Sequence, residues 1–365
     1  MSTMTSDVRT SGPRIEQKLV GGGYVRNAWY MAGWAEELSE PGKLLGRTLL
    51  DQPVVMFRTA DGALVALEDR CPHRFAPLSL GKVLPGDKLQ CPYHGLELDA
   101  GGMCTHNPHG AKNIPSRARV KSWPIVEKHQ GLWIWMGEGA GDPARIPNFS
   151  VLDNVPEFCS TKLDGIKMAA DWRLIIDNLL DLSHISYLHP GMLGNADTIN
   201  SSIDVTLDGT DIIIERLAKN GTCPGMTAMM WPGVPPKVDI FTRMRWMVPS
   251  YISLFTGACE LDQPWETGTG IHALHFLTPE TARSTHYWFT AVRFGLRSKD
   301  PAHNREIQDK IGKGRRHAFV IEDAPVIEAQ QRVIDTATRP LDPVVLSVDA
   351  GTMHFRRAVE KLIEA

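Results

Sequence analysis

CPHRFAPLSLGKVLPGDKLQCPYHG (residues 71–95) sets out two short loops, Cys71-Pro72-His73 and Cys91-Pro92-Tyr93-His94, with seventeen residues between them. Each loop carries one cysteine, one histidine and a proline, so a thiolate and an imidazole can converge without strand geometry pulling them apart. Two metal chemistries use two Cys and two His. Zinc sites usually group like with like, as CxxC followed by HxxxH, whereas here each loop contributes one of each. That interleaving suits a two-iron cluster in which the cysteines hold one iron and the histidines the other. Four such residues without any metal is the weakest reading, because two matched loops would then coincide by chance.

Composition frames the rest. The 365 residues carry 39 Lys and Arg against 42 Asp and Glu, a net charge of −3. No basic excess is available to neutralise phosphates, so a nucleic-acid partner is not expected. The longest uncharged stretch, residues 220–236, is interrupted by glycines and prolines, which argues against a membrane span. The opening MSTMTSDVRTSGPR has no apolar core behind its charges, so no secretory signal is expected and the expected location is cytoplasmic. Six cysteines are too few for a disulfide scaffold; Cys104, Cys159, Cys223 and Cys259 read as small buried hydrophobes.

Along the chain, residues 1–23 are polar, end in three glycines, and read as a loose arm. Residues 24–137 alternate short apolar runs, such as TLLDQPVVMF and ALVALE, with turn signals, which predicts a small all-β domain. GEGAGDPARIP (137–147) reads as a linker. In DWRLIIDNLLDLSHISYLH (171–189), apolar residues at 174, 175, 179, 182 and 185 predict a helix stopped by Pro190. Alternating runs return over 200–295, and a helix interrupted by Pro325 is expected after Pro301. The expected class is α+β, with a helix-flanked antiparallel sheet over residues 148–365.

That predicted helix holds the second constellation, Asn178, Asp181, His184 and His189. Asp181 and His184 are three apart and share a helical face. His184 and His189 are five apart, which an ideal helix separates by about 140°. They can face one metal only if the helix unwinds or ends between them. Two imidazoles and one carboxylate with open positions form the facial triad of mononuclear Fe(II) oxygenases. For an isolated HxxxxH a pair of buried structural histidines is the better reading; Asp181 and the upstream loops reverse that.

CPHRFAPLS and CPYHGLELDAGG resemble the two loops of the Rieske [2Fe–2S] domain, and the resemblance to Rieske non-haem iron oxygenases extends from YVRNAWYMAGW to the C-terminus. RNAWY, HNPHG and NLLDLSHISYLH place it nearest the vanillate and dicamba O-demethylase branch. The resemblance implies Cys71 and Cys91 on one iron, His73 and His94 on the other. It implies mononuclear Fe(II) on His184, His189 and a later acid, best matched by Asp323 in AFVIEDAPVIEAQ, with Glu322 and Glu328 as competitors. It further implies that Asp181, beside Asn178, bridges His184 of its own chain and His94 of a neighbour within a homotrimer. O2 is then the co-substrate, and NADH electrons enter through a separate ferredoxin or reductase. Gly268-Thr269-Gly270-Ile271-His272-Ala273 fits a loose dinucleotide pattern but precedes a strand-like run, so it reads as a turn.

The same resemblance bears on substrate. Dicamba-type enzymes contact an acidic substrate with an Asn, a His and a Trp. This chain keeps the histidine as His275 but has Leu254 and Gly314 at the other two positions. Loss of the amide disfavours a buried anion, and loss of the indole is expected to enlarge the cavity. The resulting expectation is a neutral, bulky aromatic, such as a chloroacetanilide dealkylated at nitrogen, with O-demethylation of an aromatic acid such as vanillate or dicamba as the alternative. A zinc-stabilised binding module would leave the second constellation idle. A non-catalytic redox carrier would leave the last 200 or so residues unexplained.

Overall fold

The computed structural model describes Val20 and residues 23–364, apart from 157 and 200. The arm expected over residues 1–23 therefore lies outside the described residues, except for Val20 and Gly23.

Ten strands precede residue 137: β1 (Trp29–Trp34), β2 (Leu45–Leu49), β3 (Gln52–Arg58), β4 (Leu64–Glu68), β5 (Lys82–Leu84), β6 (Lys88–Gln90), β7 (Glu97–Leu98), β8 (Cys104–His106), β9 (Ile125–Lys128) and β10 (Gly131–Trp135). They form three small antiparallel sheets, β1-β10-β9, β2-β3-β4 and β5-β6-β7-β8. Val55, Phe57, Leu67, Leu78, Leu89 and Leu98 make one buried cluster with Cys71 and Cys91. The thiols therefore stand on an apolar floor.

Seven strands follow, β11 (Asp164–Met168), β12 (Ser202–Asp208), β13 (Asp211–Gly221), β14 (Val238–Met247), β15 (Tyr251–Cys259), β16 (Thr269–Thr281) and β17 (Ser284–Phe294). They make one antiparallel sheet in the order β11-β17-β16-β15-β14-β13-β12. The segment that fitted a dinucleotide pattern is the start of β16. Among the described residues seven α-helices accompany the sheet: α1 (Trp172–Leu180), α2 (Ile185–Leu188), α3 (Ala196–Ile199), α4 (Gly225–Met230), α5 (Pro301–His317), α6 (Ala324–Asp335) and α7 (Ala350–Glu364). Trp172 on α1, Phe355 on α7 and Trp246 on β14 pack edge to face at 5.2–5.9 Å, closing helices onto sheet. No helix among the described residues is long and apolar enough to cross a membrane.

The two parts are fastened together. Thr278 Oγ1 donates to the Met31 carbonyl at 2.6 Å, and Trp29, Trp133 and Phe149 share an aromatic cluster with Tyr251, Phe276 and Trp288. The stretch 137–147, expected as a linker, is packed into this seam. Trp29 Nε1 donates to the Asp142 carbonyl at 2.8 Å, and Ile146 is buried in the cluster.

Two segments depart from regular helix, and both carry candidate site residues. The helix expected over 171–189 is two helices. Asp171 caps α1 by accepting from Arg173 N; α1 then stops at Asp181, whose backbone is extended. The single turn α2 follows, and His189 lies beyond its end in a non-helical conformation. Near the C-terminus, Ala318–Asp323 winds as a π-helix between α5 and α6. Pro325 has no N–H to offer the carbonyl of residue 321 and its ring crowds that turn, so a wider turn upstream accommodates it without breaking the helix. Such turns concentrate at functional sites.

Candidate metal centres

The two Cys/His loops repeat one backbone frame. Cys71 N donates to the Ala76 carbonyl at 2.9 Å and Cys91 N to that of Leu96 at 2.8 Å; Phe75 N and Gly95 N return to the Cys71 and Cys91 carbonyls at 2.9 and 3.1 Å. Phe75 and Gly95 both have positive φ, 60° and 68°, which the turns require. Both cysteines are buried, and the His73 and His94 rings lie 4.6 Å apart on the outer side. Burial, together with hydrogen bonding to Cys91, pushes the Cys71 thiol up to about 11. The Cys71 thiol therefore needs a cation to ionise at neutral pH. Burial and the neighbouring His73 and His109 hold His94 below the usual imidazole value, so its ring is neutral, the form that ligates metal. This donor set fits a cluster bound by two thiolates and two imidazoles.

The second set is assembled by the broken helix and the π turn. His184, His189 and Asp323 bring one ligand atom each within 4.8 Å of one another. His189 Nε2 lies 3.2 Å and His184 Nε2 3.8 Å from Asp323 Oδ1. On the far side of each ring Nδ1 is engaged, in His184 by the Asp181 main-chain carbonyl and in His189 by Glu322 Oε2 at 2.6 Å. With Nδ1–H donating outward, both Nε2 lone pairs point inward. Burial holds His184 below the usual imidazole range. In His189 burial pulls the same way, but hydrogen bonds to Asp323 and Glu322 outweigh it and hold the ring above that range. Asn178 Nδ2 donates to Asp323 Oδ1 at 3.2 Å and orients it.

Of the competing acids, Glu322 sits behind His189 and Glu328 accepts from Ala169 N at 2.9 Å, away from both Nε2 atoms. The donor set fits a two-histidine, one-carboxylate iron site. Asp181 does not contact His184 as expected. The contact runs through its main-chain carbonyl, while carboxylate Oδ1 accepts from Ser183 N and Oγ at 2.7 and 2.6 Å. The extended backbone that ends α1 turns the carbonyl toward the ring.

A cavity of about 90 Å³ opens beside this cluster. Alternate residues of the sheet make its floor, Ile240, Thr242 and Met244 on β14, Leu254 and Thr256 on β15, Ile271 and His275 on β16. Its roof includes Met226, Met230 and Phe319. Since one buried water needs about 10–15 Å³ on this measure, the space suits a single substituted ring. Leu254 and His275 line the cavity. Gly314 does not; the Met226 methyl, which does line it, lies 3.6 Å from where a Cβ at 314 would stand. Sequence reasoning missed Arg315, Arg216 and Glu322's position on His189 Nδ1. Arg315 and Arg216 are buried charged residues at the cavity wall. No motif marks either arginine.

The fold that holds both donor sets in one chain is that of the Rieske non-haem iron oxygenases. The Rieske [2Fe–2S] domain family matches residues 28–124, and the vanillate O-demethylase oxygenase C-terminal domain family matches residues 168–365. The chain belongs to this family of Rieske oxygenases, enzymes of oxidative demethylation and dealkylation, and its cofactors are a [2Fe–2S] cluster and mononuclear iron. The dicamba O-demethylase oxygenase component of Stenotrophomonas maltophilia is 37% identical, covering 93% of this chain and 98% of its own. The chloroacetanilide N-alkylformylase oxygenase component of Rhizorhabdus wittichii (strain DC-6 / KACC 16600) is 33% identical over 94% and 96%. The crystal structure of dicamba monooxygenase bound to 3,6-dichlorosalicylic acid matches with a TM-score of 0.84 and 36% identity, covering 94% of this chain and 98% of that one.

Proposed function

We propose that this protein is the oxygenase component of a multicomponent Rieske monooxygenase that removes an alkyl group from oxygen or nitrogen of a substituted single-ring aromatic compound. The observation that carries the reading is the convergence of His184, His189 and Asp323 at the wall of an apolar, ring-sized cavity. In this assignment Cys71, His73, Cys91 and His94 hold the cluster, and His184, His189 and Asp323 hold the iron. Bound there, iron would supply reductive activation of O2.

The remaining work belongs to the chain. The sheet floor and Met-rich roof orient the substrate and keep water out, and Asn178 keeps Asp323 facing both imidazoles. The balance is R–X–CH3 + O2 + 2 e⁻ + 2 H⁺ giving R–X–CH2OH + H2O. The C–X bond of the hemiacetal or hemiaminal then breaks to release R–XH and formaldehyde. The relatives are named as oxygenase components, which supports a ferredoxin or reductase partner bringing electrons from NADH. Asp181, with Oδ1 on Ser183, links cluster to iron between neighbouring subunits of a homotrimer.

The two relatives divide on substrate, an aromatic acid in one and a neutral anilide in the other. The neutral, bulky guest rests on Leu254, which lines the cavity, and on Gly314, which lies outside its lining. The test is a panel of O- and N-alkyl aromatics with NADH and a surrogate reductase, followed by aldehyde release. Expected is aldehyde equimolar with dealkylated product, lost in His184→Ala along with mononuclear iron while the cluster's EPR signal stays. Ring hydroxylation without aldehyde, or full turnover in His184→Ala, overturns the reading.

A further inference from the structure

Arg315 is 4% exposed, and its Nη1 and Nη2 atoms are buried without a hydrogen-bond partner among the described residues. Burial of an unpaired charge is costly, and a native guanidinium left in that state needs an explanation. Its surroundings are aromatic: the guanidinium carbon lies 5.4 Å from the Phe319 ring centre and 5.7 Å from that of Phe289. Cation–π contact offsets part of the desolvation but leaves the four N–H donors on Nη1 and Nη2 unused.

A second orphan stands nearby. His275 is buried on β16, its Nδ1 is 2.6 Å from the Tyr287 hydroxyl, and its Nε2 has no partner. Burial, reinforced by the charge of Arg315, keeps His275 far below the usual imidazole range and so neutral. With Tyr287 O–H donating to Nδ1, Nε2 carries the proton and becomes a donor. His275 and Arg315 both line the cavity, and Phe319 packs between them, its ring 5.5 Å from that of His275. Among the lining residues the acidic one is Asp323, already engaged by His184, His189 and Asn178, and the other cation, Arg216, gives Nη1 to the Leu182 carbonyl. Arg315 also borders an outer groove beside Phe158, Gly312 and Asp164, whose charge favours the ionised guanidinium without a hydrogen bond to it.

We propose that Arg315, with His275 Nε2–H, is an anion receptor that selects aromatic substrates bearing a carboxylate or sulfonate. The proposal rests on reading this cavity as the substrate site. It also replaces the neutral guest expected from Leu254, because the donors an anion needs come from the helix and not from β15. Arg315 remains protonated at neutral pH even though burial lowers its pKa to about 10.

The test is calorimetric binding to the iron-loaded enzyme without O2, using 3-methoxybenzoate, 4-toluenesulfonate and the neutral 3-methoxybenzamide. Wild type is expected to bind at least one of the anions about 10- to 100-fold more tightly than the amide, as charge-assisted hydrogen bonds require. Arg315→Gln loses that preference, while Arg315→Lys keeps part of it. Without ligand, Arg315→Gln unfolds no earlier than wild type, because a buried unpaired charge is removed. An amide bound as well as the anions by wild type, no binding of either, or anion binding unchanged in Arg315→Gln overturns the receptor. Earlier unfolding with unchanged selectivity assigns Arg315 to bracing the aromatic cluster. Because binding is read apart from turnover, a failed dealkylase reading shows separately, as tight anion binding without aldehyde release.

Discussion

His184 and His189 reach the same state by different means. A main-chain carbonyl holds Nδ1 in one and the Glu322 carboxylate holds it in the other, so both present Nε2 to Asp323. These roles separate in mutants. Asp323→Asn is expected to strip mononuclear iron with the cluster's spectrum unchanged. Glu322→Gln keeps the ligand set and weakens iron affinity by about 10- to 100-fold, the usual cost of losing a partner behind a ligating histidine. Glu328→Gln retains iron. Iron analysis with EPR checks all three, and full iron retention in Asp323→Asn would reassign the ligand.

The pH dependence of His189 has a definite sign. Its folded pKa is raised in the metal-free protein, so the hydrogen-bonded imidazolium contributes stability that is full below the ordinary value of about 6.5 and fades as pH rises through the folded value. Iron requires the neutral ring, so iron retention should rise with pH across that range and be lost below it, as dialysis over a pH series would show. The candidate ligands stood out in the sequence because chemistry limits which residue types bind iron. Arg315 did not, since an arginine in a basic helix looks like any solvated charge until its burial is known.

At the scale of elements, the site depends on two interruptions. The five-residue spacing of the histidines already demanded a broken helix, and the break comes as α1 ending at Asp181 and α2 ending before His189. The π turn at Ala318–Asp323 had no comparable signal. Pro325 marked an interruption, but whether a proline kinks, ends or widens a helix is decided by packing of the turn before it. Buried Arg216 secures the first interruption: Nη1 donates to the Leu182 carbonyl at 2.7 Å, and the Asp181 charge lies close enough to favour its ionised form. Arg216→Met leaves the carbonyl unpaired and Asp181 uncompensated. The expected result is a loss of about 1–3 kcal/mol in chemical denaturation, together with lower iron occupancy from a less constrained His184. Wild-type stability and full iron content would show that residues 181–183 are held by Ser183 and the helix ends alone.

At the scale of the molecule, the cluster loops face outward. His73 is exposed, Phe75 and Tyr93 beside the two imidazoles are 71% and 63% exposed, and Tyr187 between the iron histidines is 75% exposed. Large apolar side chains around both centres are what a subunit interface covers. Such a cover fits the proposed ring, in which the cluster of one subunit serves the iron of the next through Asp181. Complementation tests this directly. Cys71→Ser removes the cluster and leaves the iron side intact; Asp181→Asn keeps both metals and breaks the link. Each variant alone should be inactive in aldehyde release. Co-expressed in equal amounts they should regain about a quarter of wild-type activity, because half the irons sit in Cys71→Ser subunits and half of those face an Asp181→Asn donor around a head-to-tail ring. If electrons instead pass within one chain, every mixed ring stays inactive, since no single chain then holds both a cluster and Asp181.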